Sequence, residues 1–175
     1  MKNNSNKLLN NQKGFTFIEL ILYVSIFVMM LATIIPFSWD VIGSSRKSAT
    51  QQEVNSQARY ISERIKYEIR NAKDLNFVLG GALISLKTST PATDPTIIGF
   101  SDNNIIIMQG PGSPQIKLNS DNTIVTNRSF TNYTSIDNKT KNIQFKFTLN
   151  SAFGSQNQIY KASTTIESDA EIRSN

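Results

Sequence analysis

A chain of 175 residues has room for one ordinary domain and an appendage, and this one carries 18 basic and 13 acidic side chains, no histidine and no cysteine. It therefore lacks the commonest general base and metal ligand, the thiolate nucleophile and any disulfide framework, which removes most hydrolase and zinc-enzyme readings. The formal charge of +5 names no partner: Lys2, Lys7 and Lys13 supply three of it, and from Asp40 onward 15 basic residues face 12 acidic ones, leaving +3.

Residues 1–13, MKNNSNKLLNNQK, are polar, basic and free of acids, the arrangement of a targeting leader. Eighteen uncharged residues, Leu20 to Phe37, follow closely and suffice for a membrane-spanning helix at about 1.5 Å per residue. The preceding lysines place the N-terminus in the cytoplasm. No small-residue signal-peptidase site follows the run, whereas Gly14 stands directly before it, so a cut belongs ahead of the span.

The helical pattern continues past Pro36. Val54, Ala58, Ile61, Ile65, Ile69 and Ala72 recur at three- and four-residue spacing, one apolar stripe on a charged helix. Arg59, Glu63 and Lys66 are placed for ion pairs along the turns. Asp40 falls where an N-cap belongs, and Gly43 weakens the turn after it. The reading is one long helix from about Phe15 to about Phe77, soft near Pro36 and Gly43.

Beyond Gly80 and Gly81 the period changes. ALISLKT, TIIGFS, NIIIMQG, QIKLNS, TIVTNRSF, NIQFKFTL and QIYKASTTIES are short and β-prone, separated by turn signals at 101–104, 110–114 and 120–122. Ile143, Phe145, Phe147 and Leu149 alternate with polar residues, the signature of a strand with one buried and one wet face. An α+β fold follows: a long N-terminal helix, membrane-spanning in its first half and amphipathic in its second, packed on a C-terminal antiparallel β-sheet head. The expected divisions are a leader over 1–14, a transmembrane segment over 15–39, an amphipathic continuation over 40–77 and a β-rich head over 78–175. Residues 87–96, with two prolines, read as a surface loop.

Glu19 is the anomaly. A carboxylate at membrane depth costs roughly 2.5 to 3.5 kcal/mol or more. As an ordinary anchor residue it snorkels to the interface near Lys13. If the chain is cut after Gly14, however, the new α-amino group of Phe15 supplies a cation, in the same helix or in a neighbouring parallel one. Glu19 then selects register, because a buried charge rejects packings in which it lacks a partner.

"KGFTFIELILYVSIFVMMLATIIP" resembles the N-terminal signature of type IV prepilins and pseudopilins: a basic leader ending in glycine, an aromatic first mature residue, glutamate fifth, a long apolar run and proline twenty-second. The resemblance implies that a prepilin peptidase recognises Lys13 and Gly14, cleaves after Gly14 and N-methylates Phe15. It implies further that Glu19 pairs with a neighbouring subunit's N-terminus and that Pro36 marks a helix break on assembly. Expected partners are other pilin subunits, the peptidase, an inner-membrane assembly platform and the membrane itself. The expected location is the bacterial inner membrane before assembly and a surface or periplasmic filament after it. With no cysteine the head cannot carry the C-terminal disulfide loop of many major pilins, and it is more similar to minor pilins; a secretion or competence pseudopilin is the alternative. A reading of another class is an uncleaved bitopic anchor that presents a binding domain.

Three other chemistries have candidate residues in the chain. Asp102 to Asn104 and Ser120 to Asn122 offer oxygen ligands on loops, but each has one carboxylate and both suit tight turns, so no metal is expected. Lys139, Lys141, Lys146 and Lys161 with Phe145 and Tyr160 make a weak nucleic-acid candidate, and none is predicted. No nucleophile elbow or phosphate loop is present, and Glu63 and Glu68 read as a solvated helix face. No cofactor and no catalysis are expected.

Overall fold

A computed structural model describes residues 14–137, 140–154 and 158–173. The chain divides into two compact units, Met1–Ile42 and Gly43–Asn175. Helix α1, Phe17–Asn71, begins in the first and ends in the second. It is helical through both Pro36 and Gly43, and Asp40 is an interior helical residue where an N-cap was expected. The helix runs unbroken from Phe17 to Asn71, so Asp40 has no terminus to cap.

The helix ends six residues before the expected Phe77, and the expected 40–77 segment is therefore helix followed by strand. The Lys73 N–H donates to the Lys87 carbonyl at 2.7 Å, drawing the backbone into a sheet. One residue on, Asp74 accepts the Leu75 N–H at 2.6 Å, a local bond that competes with helix continuation. Strand β1, Asp74–Leu79, follows, and then β2, Leu83–Lys87, across a turn at Gly80 and Gly81, both at positive φ.

The antiparallel head consists of two sheets rather than the single one expected. β1 and β2 continue into β3 (Thr96–Ser101), β4 (Asn104–Gln109) and the short β5 (Ile116–Lys117), a five-stranded meander in sequence order. β6 (Thr123–Asn132), β7 (Asn142–Ser151) and β8 (Ser163–Glu171) form a second, three-stranded meander. The chain passes from one sheet to the other over 118–122, and β6 then carries a bulge between Thr126 and Ser129, with Asn127 at φ 46°. Two backbone bonds join the sheets, from the Phe130 N–H to the Gly81 carbonyl at 2.7 Å and from the Val125 N–H to the Asn103 carbonyl at 2.8 Å. QIYKA, expected to open the last strand, instead contains the 3-10 turn Gln158–Tyr160. The 87–96 loop carries a 3-10 turn, Pro91–Thr93, and a cis Asp94–Pro95 bond.

All six stripe residues are buried, five on α1 and Ala72 just past its end, and they share one core with Ile84, Leu86, Ile98, Ile105 and Ile107 of the first sheet and with Ile143, Phe145, Phe147 and Leu149 of the second. The helix covers both sheets: Gln57 accepts the Ser120 N–H at 3.0 Å, Gln51 donates to Thr164 at 3.2 Å, and Glu68 accepts from Gln109 at 3.2 Å. Glu68 thus departs from the expected solvated face; it is buried, and burial pushes its carboxyl above the usual range against the opposing pull of Arg64. Glu63, by contrast, is exposed and pairs with Lys66 at 3.2 Å.

Candidate functional site

Thr16 starts α1. Its hydroxyl accepts the Glu19 N–H at 3.4 Å, and its carbonyl accepts the N–H groups of Glu19 at 3.1 Å and Leu20 at 3.2 Å. Thr16 and Glu19 have the spacing of a capping box, and an acid in the first turn meets the positive end of the helix dipole. Glu19 also accepts from the Tyr23 hydroxyl at 3.3 Å, one turn on. Phe15 sets its ring edge-on to Tyr23, with centroids 6.3 Å apart. The sequence reading missed Thr16 and Tyr23, although the T-x-x-E spacing and the four-residue step from Glu19 to Tyr23 were there to find them.

Within residues 14–42 Glu19 alone is half-buried and every other residue is exposed. The large apolar side chains there range from 39 % exposed at Leu31 to 78 % at Phe15 and Phe17. A helix apolar on all sides needs lipid or other helices as its cover. The segment is long and apolar enough to cross a membrane. Its hydroxyls are satisfied internally, Ser25 to the Ile21 carbonyl at 2.7 Å, Thr33 to Met30 at 2.9 Å and Ser38 to Ile34 at 2.8 Å, so none is left bare in an apolar surrounding. Pro36 lacks the N–H that would reach the Ala32 carbonyl, yet the helix continues through it.

Among the described residues Gly14 has no packing reason to be glycine: a Cβ there would meet nothing within 4 Å. Lys13 lies outside the described residues. Among those described, no cation pairs with Glu19.

The remaining candidates disperse. Asp102 sits in the two-residue β3–β4 turn at φ 50°, and its backbone carbonyl accepts from Arg128. Asp121 pairs with Lys117 at 2.6 Å, and that hydrogen bond holds its carboxyl below the usual range. Among the described residues no group of three potential metal ligands gathers. Of the basic candidates, Lys141 pairs with Asp74 and Lys146 with Glu167 at 2.8 Å, Phe145 is core, and Lys139 lies outside the described residues.

Residues 9–35 match the family model of the prokaryotic N-terminal methylation motif, which is characteristic of type IV prepilins and pseudopilins. The match spans the segment that holds Lys13, Gly14, Phe15 and Glu19 and stops one residue before Pro36. No curated protein and no solved structure matches the chain.

Proposed function

We propose that the chain is a structural subunit of a type IV pilus or related filament, of the minor kind, cleaved after Gly14, N-methylated on Phe15 and assembled through residues 15–39. The observation that carries this reading is the coincidence of the methylation motif with an all-round exposed apolar helix whose one charge, Glu19, has no cationic partner among the described residues.

Cleavage after Gly14 places a new ammonium on Phe15, next to the Glu19 carboxylate along one helix and within reach of another chain's carboxylate in a staggered parallel pair. In a water-poor bundle an unpaired carboxylate is costly, so the packing that supplies the ammonium is favoured. Moving from bilayer to filament exchanges lipid contacts for helix contacts at little hydrophobic gain, because both surroundings are dry. Register therefore falls to the charge, and Pro36, with one ladder bond already missing, is the cheapest place for the helix to open. Type II secretion and competence pseudopili use the same chemistry and remain within this reading.

The uncleaved bitopic anchor has one observation in its favour: Thr16 and Tyr23 hold Glu19 at the helix start without a second chain. Mass spectrometry of the N-terminal peptide from native membranes, with and without active prepilin peptidase, separates the two. The filament reading expects a methylated peptide beginning at Phe15 that disappears with the peptidase; a peptide beginning at Met1 in both samples overturns it.

A further inference from the structure

The head carries a groove of about 390 Å³ where the free edge of β1 faces the end of β6. That volume lies within the range of about 300–1,000 Å³ typical of small-molecule sites. Asp74, Asn76 and Phe77 line it from β1, Asn132 and Thr134 from the end of β6 and beyond, and Lys141 from the residue before β7.

Phe77 is there because β1 is irregular. In a regular strand Leu75 and Phe77 share a face. The register shift between them instead lets Leu75 and Val78 pack on the core, three residues apart, and leaves Phe77 49 % exposed along the groove. Bulges commonly re-aim a side chain in this way beside binding sites.

The polar groups around that ring are half used. Asp74 Oδ1 accepts from Lys141 and from the Leu75 N–H, which leaves Oδ2. Asn76 Nδ2 donates to Ser85 at 3.2 Å, which leaves its carbonyl. Asn132 Oδ1 accepts from the N–H and hydroxyl of Thr134, at 2.9 and 2.5 Å, which leaves its NH2 group. Lys141 retains donor capacity beyond its bond to Asp74. Two acceptors and two donors thus surround an aromatic ring, and the Asp74–Lys141 pair cancels the local charge.

An anion would meet Asp74, a cation would meet Lys141, and an apolar ligand would strand four polar groups. Hydroxyls on a ring match the arrangement, since each donates and accepts while the C–H face of a pyranose lies on an aromatic ring. We propose that this groove is a binding site for a short neutral saccharide. The proposal goes beyond the filament reading and does not depend on it, since the groove lies outside residues 14–42.

The test is saturation-transfer difference NMR on the full chain in lauryldimethylamine oxide micelles, a detergent without a sugar headgroup that would compete. The probes are maltotriose, cellotriose, N,N′-diacetylchitobiose and lactose. Transfer to the ring protons of at least one is expected, with about ten-fold weaker binding in Phe77→Ala and in Asn132→Ala and no change in Tyr60→Ala on the helix surface. Phe77→Leu keeps the apolar volume and loses the ring, and it is used where Phe77→Ala fails to fold. No transfer to any of the four sugars, or equal transfer to wild type and a folded Phe77 variant, overturns the proposal. So does broadening of the 31P line of inorganic phosphate by the chain with no transfer to any sugar, which would mark Lys141 as an anion contact.

Discussion

Arg64 Nη2 lies 2.7 Å from Glu68 Oε1 one turn along α1, with the arginine side chain 35 % exposed and the carboxylate only 6 %. The guanidinium also lies 5.7 Å from the Tyr67 ring centroid, so it reaches inward to the acid while keeping contact with the surface. Removing the cation leaves a buried carboxylate with Gln109 as its remaining side-chain partner. Arg64→Ala is expected to cost about 1–3 kcal/mol, measured by thermal unfolding of the full chain in micelles. Loss within error of zero would show that water reaches Glu68 once Arg64 is gone.

Two acids predict opposite pH responses. Burial raises the Glu68 carboxyl, so the folded chain holds that proton more tightly than the unfolded one. Acidification from above the raised value down to the ordinary glutamate range therefore favours folding at this site. Asp74 is held below its usual range, first by the hydrogen bond from Lys141 and then by the Leu75 N–H. Its contribution is present above the ordinary aspartate range and is lost as pH falls through the lowered folded value. Melting temperatures between neutral pH and strong acid check this: the advantage of Glu68→Gln over wild type is largest at neutral pH and shrinks on acidification, and Asp74→Asn flattens the acid limb.

Asn119 ties three segments together. Its Oδ1 accepts the Ile105 N–H at 3.0 Å, and its Nδ2 reaches the Thr123 carbonyl at 2.9 Å and Asn104 Oδ1 at 3.2 Å. The residue is 4 % exposed, so Asn119→Ala orphans a buried donor and a buried acceptor at about 1–3 kcal/mol each. Hydrogen exchange should show the loss first at the Ile105 amide.

Gly110 sits at φ 88°, and a Cβ there would lie 2.3 Å from the Ala92 carbonyl oxygen. Gly110→Ala must move backbone in the 87–96 loop and adopt a disfavoured φ, at about 1–3 kcal/mol or more. Gly112→Ala, where the space is open, carries only the conformational strain and serves as the comparison in the same melt.

At the N-terminus, Gly14→Leu is expected to leave the precursor uncut, since nothing in the fold requires glycine there. Glu19→Ala should leave cleavage largely intact and remove the subunit from filaments. Immunoblots of membrane and sheared-filament fractions read both, and normal incorporation of the Glu19 variant would sink the register argument. Thr16→Ala separates the roles: if Glu19 serves mainly the helix cap, this variant copies the Glu19 phenotype.

The α1 stripe was legible because a single helix with a single wet face writes its period into the chain, and Val54 through Ala72 are buried as that period requires. The same holds for Ile143 to Leu149, where alternation alone marks the core face. The methylation segment was legible because its features stand at fixed offsets in one contiguous stretch, which needs no folding to be recognised. Other features depend on residues distant in sequence. Asp74 to Phe77 read as helix because the residues before them are helical, and they became strand because Lys87 captured the Lys73 N–H. Glu68 read as solvated because its sequence neighbours are charged, and Gln109, forty-one residues away, helps to bury it. The division into two sheets, the outward turn of Phe77 and the groove beside it were decided in the same way. Periodicity and local motifs are properties of neighbours along the chain, whereas strand partners, burial of a charge and the aim of a bulged side chain are set by which distant segments pack together.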